Sequence, residues 1–264
     1  MAGPLLQIAA VHTEIISRDR EALRLVEHRY RSFLGDGVPG WRIEIDERRC
    51  VSGAEYQDVV VTPLGRGRLD VHRHDFHATV DLRARRAEVA LAEIHDVPLD
   101  AFLRVFYSMA LLETSGLLLH AASLGRHDHA YVFPGRSGTG KTTVTRLSPT
   151  SVVLSDEIAA VRTGRDGALA YGTPFWGELA RAGENEALPL AGIYFLHQAS
   201  AHARESLDRV DAIAQILANA LFFARDRGLT TRVLDVAANL ATAVPCFRLD
   251  FRRDPHFWGV ITDD

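Results

Sequence analysis

Apolar positions along the chain change their period several times, and each change marks an element. Between residues 19 and 34, DREALRLVEHRYRSFL sets Leu23, Val26, Tyr30 and Phe33 on one helical face. Gly35, Gly37, Pro39 and Gly40 then end the helix. The period next drops to two. Runs at 41–46, 57–61, 67–73, 77–82 and 87–93 alternate, which predicts an antiparallel meander. Asp100 is placed to cap a helix through AFLRVFYSMALLET, ended by Gly116. Strands follow at 117–124 and 129–134, joined by GRHD, and an apolar strand at 151–155. IAAVRT and ALAYGT flank the turn GRDG (164–167) as a hairpin, and 190–198 reads as a buried strand. Helical spacing at Leu207, Val210, Ile213, Leu217 and Leu221 predicts a helix over 207–226; another covers 230–243, and 246–251 is a last strand. No internal repeat or low-complexity segment interrupts the series.

This pattern predicts a mixed α/β protein, with a seam near residues 95–116. It separates an N-terminal helix and β-meander, residues 1–97, from a second domain, residues 98–264. The first region carries no readable motif and is a candidate for substrate recognition. Hydrophobic content of 47% and charge of 24% belong to a chain that buries a core. The net charge of −4 gives no electrostatic case for nucleic acid or an anionic membrane as partner. No run reaches the roughly 18 apolar residues of a membrane span, and the N-terminus lacks a basic signal-peptide region. Cys50 and Cys246 form no CxxC and read as reduced thiols. The resulting expectation is a cytoplasmic protein.

Of the 30 basic residues, 29 are arginine and one is lysine, Lys141. A lysine kept where every other cation is arginine implies that arginine fails there. Its setting explains why. Gly135, Arg136, Ser137, Gly138, Thr139, Gly140, Lys141 and Thr142 fit G-x-x-x-x-G-K-[ST] without a mismatch, followed by Thr143. The apolar strand before it and the helix-forming segment after it are the context this phosphate-binding loop (P-loop) needs. The glycines let backbone N–H groups approach phosphate oxygens. Lys141 is a compact point charge for the β- and γ-phosphates, whereas a guanidinium is wide and planar. Thr142 can coordinate Mg²⁺ through its hydroxyl. ATP and Mg²⁺ are therefore the expected ligands of residues 135–143.

VVLSDEI presents Asp156 and Glu157 at the end of the next strand. One can hold Mg²⁺, which the reading gives to Asp156, and the other can take a proton from an attacking hydroxyl or water. His120 lies in the strand before the loop strand. It is either a hydrogen-bonded core residue or a group facing the phosphates. His72, His74 and His77 alternate along a strand without an acid-rich second set, so they read as strand residues rather than a metal centre. RHDH (126–129) is a polar hairpin tip. YGTPFWGE (171–178) either borders a substrate cleft or is a hairpin exit packed by Phe175 and Trp176; composition favours the second.

The succession LLLHAASL, VFPGRSGTGKTTVTRL, VVLSDEI, YGTPFWGE, LPLAGIYFL and PCFRLDFRRDPHFWGVI resembles the HPr kinase-related proteins, over roughly residues 98–260. The resemblance implies a P-loop kinase core of the phosphoenolpyruvate carboxykinase-like fold with a mixed sheet. It implies that Lys141 and Thr142 bind nucleotide phosphates and magnesium, that one of Asp156 and Glu157 is the base on a serine hydroxyl, and that His120 is the family's strand histidine. The pair here is Asp-Glu where bifunctional HPr kinase/phosphorylases have Asp-Asp, and their arginine- and glycine-rich downstream segment is not present. The expectation is thus a shorter relative: a kinase acting on a serine of a peptide or protein, such as a ribosomal peptide precursor, or on a small-molecule hydroxyl. A P-loop ATPase or nucleotide switch is the other open class, and a homo-oligomer is left open.

Overall fold

The computed structural model describes residues 3–46, 58–224 and 226–262. The fold is mixed α/β with two mixed sheets. The chain divides into two compact units: Met1–Ala110 with Phe222–Thr231, and Leu111–Leu221 with Arg232–Asp264.

In the first unit, β1 (Leu5–Ile8), β2 (Val11–Ser17), β3 (Trp41–Ile45), β4 (Val60–Gly65), β5 (Arg68–Arg73), β6 (Phe76–Asp81) and β7 (Arg86–Leu91) form a seven-stranded sheet in the order β1-β2-β3-β7-β6-β5-β4. Strands β4 to β7 are an antiparallel meander. The strand predicted at 57–61 begins outside the described residues, as does Cys50. β3 departs from the predicted meander by pairing parallel with both β2 and β7. The cause is α1 (Arg20–Arg29), which crosses over between β2 and β3 and returns the chain to the same end of the sheet. Asp19 caps it by accepting from the Glu21 N–H. α2 (Asp96–Ala110) starts before the predicted cap, because Pro98 is tolerated in a first turn whose N–H groups have no helical partner. Asp100 therefore lies inside the helix, and its carboxylate accepts from Arg29 and Tyr30. Burial pushes the Asp100 carboxyl pKa up, with Arg29 acting against it. Every second residue of β3, β6 and β7 is buried, as are Leu69 and Val71 of β5, and Trp41, Phe76, Phe102 and Phe106 meet edge to face or tilted in that core.

The second unit is built on two long strands, β8 (Gly116–Arg126) and β13 (Ala187–Gln198), which each serve more than one neighbour. Early β8 pairs with β11 (Ile158–Gly164). Late β8 pairs with β9 (His129–Pro134) and with β10 (Val152–Ser155). Early β13 pairs with β12 (Gly167–Tyr171), its middle with β9, and its end with β15 (Cys246–Phe251). β11 and β12 form the predicted hairpin, and β14 (Ala203–Ser206) edges β15. The pairings β8–β11–β12–β13–β9–β8 thus close a circuit. Among the helices, α3 (Lys141–Arg146) follows the glycine loop. α4 (Arg209–Asn219) is shorter than the predicted 207–226 helix. Ala220 bridges to Leu119 and the Leu221 N–H donates to the Leu118 carbonyl, so β8 captures the chain where helical spacing would continue. α5 (Arg227–Ala243) begins after Asp226, whose carboxylate accepts from the Leu229 N–H.

Candidate functional site

β9, β13 and β15 run parallel, so their C-terminal ends share one edge of the sheet. Ligands of α/β sheets bind outside that kind of edge. The loop Gly135–Gly140 leaves β9 there. Its first N–H, from Gly135, donates to the His120 carbonyl at 3.0 Å, fixing the loop's root to β8. Gly138 and Gly140 have φ of +83° and +116°, in the region that side chains rarely adopt. Gly140 is doubly constrained, since a Cβ there would lie 2.5 Å from Cζ of Phe251. Arg136, Ser137 and Gly138 are exposed; Thr139, Gly140, Thr142 and Thr143 are half-buried. The Arg136 carbonyl accepts from both the N–H and the hydroxyl of Thr139, which tightens the crown of the loop.

Lys141 is at the centre and only 5% exposed. Its ammonium donates to the carbonyls of Gly135 at 2.7 Å and Arg136 at 3.2 Å. The loop is wrapped around this one charge, and two of its three N–H donors are used in holding it. Burial lowers the ammonium's pKa, opposed by the carboxylates of Glu157, Glu178 and Asp156, in that order. Lys141 opens α3, which is only six residues long, and is the loop's buried cation, whereas Arg136 is exposed.

The acids flank it from β10's end. Glu157 Oε1 lies 2.7 Å from His120 Nε2, with both side chains about 30% exposed, at 29% and 30%. Its N–H donates to Ser155 Oγ at 3.2 Å, and its carbonyl takes the Ala121 N–H. Asp156 is 3% exposed. Its two oxygens accept from the backbone N–H groups of Gly177 (3.0 Å) and Leu179 (2.9 Å). His120, residues 135–143, Asp156 and Glu157 are thus brought together within the second unit. Phe175 is buried and Trp176 half-buried, as in the packed-exit reading of YGTPFWGE, yet the same run also supplies the backbone that holds Asp156. Outside this place, His72 and His77 both contact Asp70, at 3.1 and 2.6 Å, on β5 and β6 of the first unit.

Two neighbours escaped the sequence reading. Gln198, at the end of β13, donates from Nε2 to the Gly138 carbonyl at 3.0 Å. Phe251, at the end of β15, packs on Gly140. Their only sequence sign is position, as the last residues of strands that prove parallel to the loop strand. Beneath the loop lies a core of Tyr131, Phe133, Val144, Tyr194, Leu249, Phe251, Phe257 and Trp258.

The mixed α/β frame with this loop and acid pair defines the class of domain to which comparison applies. The family model described as SynChlorMet cassette protein ScmC matches residues 93–263, well over half of the chain and all of the site. The chain belongs to that family. No curated protein matches it. No helix among the described residues is long and apolar enough to cross a membrane.

Proposed function

We propose that this protein is an ATP-dependent phosphotransferase of the P-loop, HPr kinase-related kind, moving the γ-phosphoryl group to a hydroxyl, with serine of a peptide or protein as the acceptor class. The observation that carries the reading is the Lys141 ammonium, held by the Gly135 and Arg136 carbonyls inside a complete G-x-x-x-x-G-K-T loop. A buried cation clamped by backbone with a donor to spare is a site for an anion, and a glycine-rich loop around it suits a polyphosphate. Thr142, one residue on, and Glu178, whose carboxylate acts on Lys141, offer the hard oxygen ligands a magnesium ion prefers. Bound there, the ion would neutralise charge on the phosphate oxygens.

The residues then divide as follows. Lys141 and the loop N–H groups bind the β- and γ-phosphates of ATP, the phosphoryl donor, and hold them in line. Glu157 takes the proton of the acceptor hydroxyl, and His120, bonded to its Oε1, holds the carboxylate's orientation. The acceptor oxygen bonds to the γ-phosphorus as the bond to the bridging oxygen breaks, giving phosphoester and ADP. The test follows the label of γ-labelled ATP with Mg²⁺ in a peptide and metabolite extract of the host, beside a Lys141→Ala control. Acid-stable label on a peptide or protein, absent from the control, is the expected result. Label on a small molecule would move the acceptor class. Label only as inorganic phosphate would favour the ATPase or switch reading, and equal labelling in the control would sink the loop's role.

A further inference from the structure

The two adjacent acids differ more in their surroundings than their chemistry requires. Glu157 is partly open and bonds a titratable side chain; Asp156 is enclosed, and both its oxygens accept from backbone N–H groups. A hydrated magnesium ion keeps several waters and needs an approachable oxygen. Asp156 offers little surface, and each of its oxygens is already aimed at an N–H of one turn, at Gly177 and at Leu179. That turn lies against Glu157: a Cβ built on Gly177 would be 2.9 Å from both Cβ and Oε2 of Glu157. The backbone between the two anchor points carries Glu178, whose carboxylate acts on Lys141.

Resting on the phosphotransferase reading, we propose that the pair has separate jobs: Asp156 is a positioning residue that pins the Gly177–Leu179 turn over Glu157, and Glu157 alone faces the acceptor. The carboxylate is suited to this because it is acceptor-only and can satisfy two backbone donors at once. Asparagine cannot, since its NH₂ would face one of the two N–H groups. Glycine at 177 is the second half of the device, because the turn closes on the Glu157 side chain to a distance that excludes a Cβ.

Two variants separate this from a metal-ligand role. Asp156→Asn disturbs the pin and the charge, whereas Gly177→Ala keeps the Asp156 carboxylate and its charge and disturbs the turn and the seat of Glu157. In both, we expect γ-phosphoryl turnover, to an extract acceptor or to water, to fall about 100-fold in kcat while KM for Mg-ATP stays within threefold. Hydrogen exchange at the Gly177 and Leu179 amides should rise at least tenfold in Asp156→Asn, with exchange in β9 unchanged. The gain in ATP affinity on adding Mg²⁺ over EDTA should match wild type in both variants. Loss of that magnesium gain in Asp156→Asn alone, with exchange at the two amides unmoved, would overturn the proposal and make Asp156 a metal ligand. If wild type fails to bind ATP at all, the phosphotransferase reading falls, and the amide exchange still reports whether Asp156 is the pin.

Discussion

Replacing Lys141 with arginine keeps the charge and changes only its shape. In the native loop the ammonium donates to the Gly135 and Arg136 carbonyls, at 2.7 and 3.2 Å, and has one N–H left for a phosphate oxygen. The slot is closed, with the residue 5% exposed, so a longer planar fork cannot keep both carbonyls and still present a donor at the same point. The least it can lose is one charge-assisted hydrogen bond, worth about 1.5–3 kcal/mol. That corresponds to a Kd for Mg-ATP raised about tenfold to 150-fold. Titration calorimetry with Mg-ATP on wild type, Lys141→Arg and Lys141→Ala measures it, with circular dichroism to show that the fold persists. Lys141→Arg should resemble the alanine variant more than the wild type. A Kd within threefold of wild type would refute the argument, because charge alone would then suffice.

Three further outcomes follow from the packing. Gly140→Ala should lower the melting temperature and weaken Mg-ATP binding, since left-handed φ costs a side chain about 1–2 kcal/mol before the Phe251 overlap is added. Adding Phe251→Leu should restore only part of the loss, and full restoration would deny the backbone share. Asp100→Ala leaves Arg29, 4% exposed at its side chain, without this buried counter-charge; urea unfolding should show a loss of about 3–5 kcal/mol, and less than 1 would contradict the ion pair's role. Burial pushes the Cys246 thiol up to about 11 from 9.0, so less thiolate is present at any pH below that. In a Cys50→Ser background its alkylation at pH 8 should run about 100-fold slower than an ordinary thiol's and quicken tenfold per pH unit toward pH 11. A rate equal to the unfolded chain's would show that the thiol is not buried.

What could be read from the sequence was what is local. The loop's residue types are dictated by its own backbone, so Gly138, Gly140 and Lys141 announce themselves within eight positions. His120, Asp156 and Glu157 could be placed near it because β8 and β10 flank the loop and its strand in the chain, and in space β8 pairs with the loop strand and β10 with β8. The partners of Asp156 left no sign, since an amide N–H at 177 or 179 is available from any residue but proline. Gln198 and Phe251 were hidden for a different reason: only the parallel pairing of β9, β13 and β15 makes strand ends neighbours of the loop. Other non-local pairing explains two of the departures in outline. Crossover by α1 turned β3 parallel, and capture of Ala220 and Leu221 by β8 cut the predicted helix short, each overriding a correct local preference.

The core beneath the loop also sets an order of assembly. Trp258 donates from its indole to Ser148, just past α3 and 110 residues away, and Tyr131 and Phe133 of the loop strand rest on the rings of Phe257 and Trp258. A ribosome delivers the whole signature, Gly135 to Thr142, about a hundred residues before the rings that support it. Closing so long a segment is slow relative to local helix formation. The nascent chain therefore carries a finished motif without a finished support, and, on the proposed function, capacity for nucleotide should arise only once Phe257 and Trp258 have emerged and docked rather than when the motif does.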